Sequence, residues 1–87
     1  MKHINQLATT FLQPKTQSEM SDFLEGILTP KEILELNQRI EIVKLLKSGM
    51  PQRQIAEKVG VGIATVSRGS REIARGRFSE SWWGSTS

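Results

Sequence analysis

Ala64, Thr65, Ser67, Arg68 and Arg71 lie close together and share the face of one short helical pattern. Short hydroxyl side chains lead and guanidinium groups follow. Thr and Ser of this kind reach base edges or phosphates, and Arg reads guanine or neutralises phosphate, so the set can enter a major groove. Catalytic chemistry has no comparable set. There is no Ser/His/Asp arrangement, no phosphate-cradling glycine loop and no carboxylate pair with a reason to be perturbed. The chain has no cysteine, hence no disulfide and no thiolate metal site, and its one histidine, His3, sits in a terminus expected to fray. The sequence therefore reads as a non-enzyme with no catalytic and no metal residues.

The element that must position these residues runs from Gln52 to Ile73. Ile55, Ala56 and Val59 give a first short helix a small apolar face. Gly60-Val61-Gly62 breaks the period, because glycine takes left-handed backbone angles at little steric cost. Ile63, Val66, Ser70 and Ile73 resume at helical spacing. Ala56 falls where two helices must approach closely and Gly60 where the chain must turn, which is what a helix-turn-helix needs. A plain two-helix hairpin with a solvated basic face is the bland alternative, since such patterns are loose. Two details weigh against it. No acidic residue lies between Glu57 and Glu72, and the basic charge is concentrated here.

Charge follows the same division. The formal net charge is +3. Met1 to Met50 has six Lys/Arg and six Asp/Glu and is neutral. Pro51 to Arg77 carries Arg53, Lys58, Arg68, Arg71, Arg75 and Arg77 against Glu57 and Glu72, a surplus of four. A neutral scaffold joined to a basic segment is the footprint of nucleic-acid binding. With 87 residues the chain makes one small domain, divided as a helical dimerisation scaffold (1–50), a reading head (51–77) and a flexible or docked tail (78–87). A core this small is often completed in a dimer. No apolar run approaches the ~20 residues of a membrane span, and no leader peptide is evident, so the expected location is cytoplasmic.

Along the chain, Ile4, Leu7, Ala8, Phe11 and Leu12 mark an amphipathic helix that ends before Pro14. Thr16 to Glu19 has the form of a capping box, and Met20, Phe23, Leu24, Ile27 and Leu28 follow as a second apolar face. Thr29-Pro30-Lys31-Glu32 starts a third helix, with Ile33, Leu36, Ile40, Val43 and Leu46 as its stripe and a stop near Ser48-Gly49. Arg39 sits beside that stripe. Gly76 is expected to end the reading helix. The last stretch, Phe78 to Ser87, is Ser-rich, with both tryptophans of the protein at Trp82 and Trp83.

Leu28-Thr29-Pro30, Arg39, Gln52-Arg53 and the run Gly62 to Ser70 (GIATVSRGS) together resemble the tryptophan repressor family. The N-terminal LQPKTQSEMSDFLEGILTPKEI stretch is similar to the tryptophan-repressor-related proteins of Gram-positive bacteria. The resemblance covers roughly Phe23 to Arg75, over half the chain. It implies an all-α fold of about five to six helices, intertwined as a two-fold dimer with a helix-turn-helix in each subunit. It also implies a sequence-specific regulator that binds a double-stranded DNA operator as a homodimer, usually a repressor, with L-tryptophan or another indole as corepressor. Carried over residue by residue, Gln52, Arg53, Gly62, Ile63, Ala64, Thr65 and Ser67 match DNA-contacting positions, and Arg68, Arg71 and Arg75 would supply phosphate or charge contacts. Arg39 and Arg68 match the two arginines that sandwich the indole ring, a stacking that guanidinium planes favour. Leu28 and Thr29 match the helix end near the ligand's amino group, and Thr65 and Gly69 match pocket-lining positions.

One departure bears on the ligand. Glu72 stands where the family has a serine near the ligand's carboxylate. Two carboxylates at ~4 Å repel by about 4 kcal/mol at an effective dielectric of ~20. Either Glu72 turns away and pairs with Arg68 or Arg75, or the effector is an indole lacking the carboxylate, or there is no small effector. The tail leaves two readings as well: Trp82 or Trp83 inserts into the pocket of its own dimer, or the pair covers exposed apolar surface. The alternative function, from another class, is a small dimeric protein-interaction module.

Overall fold

The computed structural model describes residues 1–84. Five α-helices make up the described chain: α1 (Lys2–Phe11), α2 (Gln17–Ile27), α3 (Pro30–Lys47), α4 (Gln52–Val59) and α5 (Ile63–Ala74). The all-α expectation holds, with five helices and no strand among the described residues. The chain groups into two compact units, Met1–Leu34 and Glu35–Ser87, so the boundary falls inside α3.

In the N-terminal unit, hydrogen-bonding side chains set the starts of α2 and α3. At α2 the Thr16 hydroxyl accepts from the Glu19 amide at 3.1 Å, while the Glu19 carboxylate accepts from the Lys15 amide at 2.7 Å. The reciprocal bond thus lands one residue before the cap. At α3 the box closes fully: the Glu32 amide donates to Thr29 Oγ1 at 3.1 Å and the Thr29 amide to Glu32 Oε1 at 2.9 Å. Phe11 and Phe23 meet edge to face with ring centres 5.1 Å apart. None of α1 or α2 is fully buried.

The C-terminal unit holds the core. Ile42 of α3, Ile55 of α4 and Val66 of α5 are buried together, with Leu45, Leu46, Met50, Ala56, Val59 and Val61 packed around them. Each helix thus contributes one fully enclosed aliphatic side chain, worth about 1.5–3 kcal/mol apiece. The sequence stripe on α3 included Val43 but omitted Ile42, which is only 1% exposed. It selected one face of a helix that is apolar on more than one, since Leu36 and Ile40 remain exposed while Ile42 and Val43 are enclosed.

Glycines close two of these helices in the same way. After α3, Gly49 is left-handed (φ 93°); its amide donates to the Leu46 carbonyl and that of Met50 to the Leu45 carbonyl. After α5, Gly76 (φ 93°) donates to Ile73 and Arg77 to Glu72. Both are paired terminal bonds that satisfy the last carbonyls. Between α4 and α5 the turn hinges on Gly60 (φ 82°), whose amide and that of Val61 both donate to the Ala56 carbonyl.

Candidate nucleic-acid interface and adjoining cleft

α4 and α5 form the expected helix-turn-helix, held by Ile55 and Val66 on the core side. Opposite them, Ile63, Ala64, Thr65, Arg68 and Arg71 of α5 are exposed, as are Gly62 before it, Arg75 just after it and Arg53 of α4. Ile63, which the helical spacing grouped with Val66, is half exposed at the start of α5 while Val66 is buried. Gly62 and Pro51 offer no side-chain cap to the first turns of α5 and α4. Unsatisfied first-turn amides suit an anion such as a phosphate.

Gln52 and Ser67 stand apart from the rest of the set. Both are half-buried, and the Ser67 hydroxyl donates to Gln52 Oε1 at 2.8 Å. This bond ties the start of α4 to the middle of α5. It also fixes the Gln52 amide so that its NH2 is the remaining donor.

Arg39, Thr65, Arg68, Gly69 and Glu72 come together at one cleft of about 530 Å³ between α3 and α5. Ala64 and Arg71 line it too. Leu28 and Thr29 belong to the N-terminal unit, where Leu28 ends α2 and Thr29 caps α3. Leu36, Ile40, Ile42, Val43 and Phe78 complete the lining and were not anticipated as site residues. Three of them, Leu36, Ile40 and Val43, belong to the α3 stripe, which was legible as a pattern though not as a wall. Phe78 had no such signal, because nothing local says where a tail residue returns.

Gly69 explains how α5 comes so near α3. A Cβ built there would lie 3.3 Å from both Ile42 Cγ2 and Leu46 Cδ1. The absent side chain lets the two helices close on each other in the middle of α5.

Glu72 lines the cleft, but its two carboxylate oxygens face arginines. Arg75 Nη1 donates to Oε2 at 3.0 Å, and Arg77 Nε lies 3.6 Å from Oε1. The carboxylate is thus neutralised by two guanidinium groups, neither of which lines the cleft. Among the described residues no cluster of His, Cys, Asp and Glu could hold a metal ion, and no helix is long and apolar enough to cross a membrane.

A family model described as Trp repressor protein matches residues 2–83. Among curated proteins, the Trp operon repressor homolog of Vibrio vulnificus (strain YJ016) is 45% identical over 58 residues, 66% of this chain and 57% of that protein. The Vibrio campbellii homolog is 47% identical over 58 residues, 66% of this chain and 56% of that protein. The Aliivibrio fischeri (strain MJ11) homolog is 34% identical over 80 residues, 91% of this chain and 74% of that protein. The chain spans little more than half the length of the first two of these relatives. No solved structure matches.

Proposed function

Because the chain belongs to the Trp repressor protein family, we propose that it is a homodimeric, sequence-specific DNA-binding regulator that represses transcription by occluding a promoter. The start of α5, from Ile63 to Ser67, reads base edges. Gln52 and Arg53 of α4 help to seat it, and Arg68, Arg71 and Arg75 supply charge toward the phosphates. An indole effector, L-tryptophan or a relative of it, binds in the α3–α5 cleft between Arg39 and Arg68 as its corepressor.

A single observation carries this reading. Ala64, Thr65, Arg68 and Arg71 belong both to the expected reading face and to the cleft lining. A molecule in the cleft therefore touches the side chains that would approach DNA, so its presence is felt where sequence is read. The cleft volume lies within the ~300–1,000 Å³ usual for small-ligand sites, and its lining combines aliphatic side chains with the guanidinium groups of Arg39, Arg68 and Arg71, a mix that suits a flat aromatic ring.

Two measurements test it. Fluorescence anisotropy on mixed genomic fragments should find a subset bound far more tightly than random DNA. Uniformly weak binding that vanishes with salt would instead favour a small dimeric interaction module. Calorimetric titration with L-tryptophan should show micromolar binding; no heat and no thermal stabilisation would remove L-tryptophan as the effector.

A further inference from the structure

The segment after α5 turns back on the C-terminal unit. Gly76 and Phe78 both have positive φ, 93° and 57°, and Phe78 is the one non-glycine of this kind among the described residues. A bulky residue keeps such a backbone only where its surroundings over-determine it. Those surroundings are visible. The Arg77 amide donates to the Glu72 carbonyl at 3.0 Å, and the Ser79 carbonyl accepts from the amides of Trp82 and Trp83 at 3.2 and 2.8 Å. The Trp83 indole lies edge-on to Phe78 with ring centres 5.2 Å apart, and Trp82 lies edge-on to Trp83 at 6.0 Å. Lys47 of α3 approaches Glu80 at 3.9 Å.

The result is that the Phe78 ring is half-buried and lines the cleft. It is the one aromatic in the lining, and the one lining residue outside α3 and α5. The other walls are aliphatic, hydroxyl or charged. Only Phe78 presents a ring edge or face to a second ring, the arrangement in which aromatic quadrupoles attract.

We propose that Phe78 is a specificity-determining contact for the effector of this cleft, held in place by the tail as a strap, and that it selects a planar aromatic ligand by ring-to-ring packing. This rests on the reading that the α3–α5 cleft takes an effector. In the complex the ligand extends a run of rings that already passes from Trp82 through Trp83 to Phe78. Arg39 and Arg68 hold the ligand's faces, and Phe78 limits the size and shape of its edge.

The test is calorimetric titration of the full chain with L-tryptophan, tryptamine and indole-3-acetate, comparing wild type with Phe78→Ala, Phe78→Leu, Phe78→Tyr and Arg39→Ala. For the best-bound probe, Phe78→Ala should weaken affinity about tenfold. Phe78→Leu should be weakened nearly as much, and Phe78→Tyr should stay near wild type. Without ligand, Phe78→Ala should also shift tryptophan emission to the red and raise acrylamide quenching, because Trp83 loses its ring partner. Circular dichroism on each variant checks that the helices persist. If Arg39→Ala loses binding while Phe78→Ala and Phe78→Leu match wild type, the Phe78 inference is overturned and the cleft reading stands. If Phe78→Leu alone matches wild type, apolar volume rather than a ring is selected, and the inference is again overturned. If none of the three probes binds wild type, the effector reading falls, and this inference with it.

Discussion

Glu72 shows how a single carboxylate can line a cleft without ruling its charge. Facing open space, it would repel a ligand carboxylate; facing Arg75 and Arg77, it is one member of a cluster with net positive charge. Such half-exposed pairs contribute little to folding, so Glu72→Gln should change stability by less than about 1 kcal/mol in urea denaturation. The same substitution should tighten L-tryptophan relative to tryptamine, read as the ratio of two calorimetric affinities. A ratio that stays fixed would mean Glu72 is not felt by the ligand. Thr65 and Arg75 separate in another way. Thr65→Ala should relax the choice between DNA sequences, whereas Arg75→Ala should weaken binding to all of them alike, measured by anisotropy on cognate and random duplexes. Ser67→Ala would release Gln52 and should cost about 0.5–1.5 kcal/mol of stability, seen in the denaturant midpoint.

At the scale of elements, the close approach of α5 to α3 depends on Gly69. Gly69→Val would place branched atoms where Ile42 and Leu46 already stand at 3.3 Å from a mere Cβ. It should destabilise by about 1–3 kcal/mol, with urea unfolding as the readout. Local chemistry made most of these elements legible in advance. The Thr29–Glu32 box, the stop at Gly49, the Gly60 turn and the Gly76 end all follow from residues within a few positions of each other, and the structure shows them there. What could not be read depends on long-range packing. Ile42 lies one position from Val43, so a single-stripe reading of α3 chose between them, whereas Ile42 packs into the core with α4 and α5 and Val43 is buried beside the cleft. Gly69 looked like part of a motif, and its role as a contact point needed the partner helix. Phe78 reaches the cleft only because Gly76 and its own left-handed backbone turn the chain, a path that no period in the sequence encodes. The Gln52–Ser67 bond was equally hidden, since the two residues are 15 apart and each read as a surface group.

For the whole molecule, charge and exposed apolar surface bear on the two proposed partners, DNA and a second copy of the chain. The surplus of four positive charges lies within Pro51 to Arg77, so DNA affinity should fall linearly with the logarithm of salt concentration. Titrations at several salt concentrations check that, and a flat response would exclude a phosphate-seeking surface. Ile4, Leu7, Leu12, Ile27 and Leu34 are each more than half exposed, an uneconomical surface for a small chain to leave in water. On the homodimer reading a second copy covers it, and sedimentation should find a dimer at micromolar concentration, with monomer as the contrary result.

The buried trio of Ile42, Ile55 and Val66 has a mechanical side. One side chain from each of three helices meets there, and Leu45, Leu46, Met50, Ala56, Val59 and Val61 close round them, so the contact resists rotation as well as separation. The helix pair α4–α5 is thus keyed to α3 rather than hinged on it. Ile42 belongs both to the trio and to the cleft lining, so anything that entered the cleft would press on a side chain that locks the three helices together.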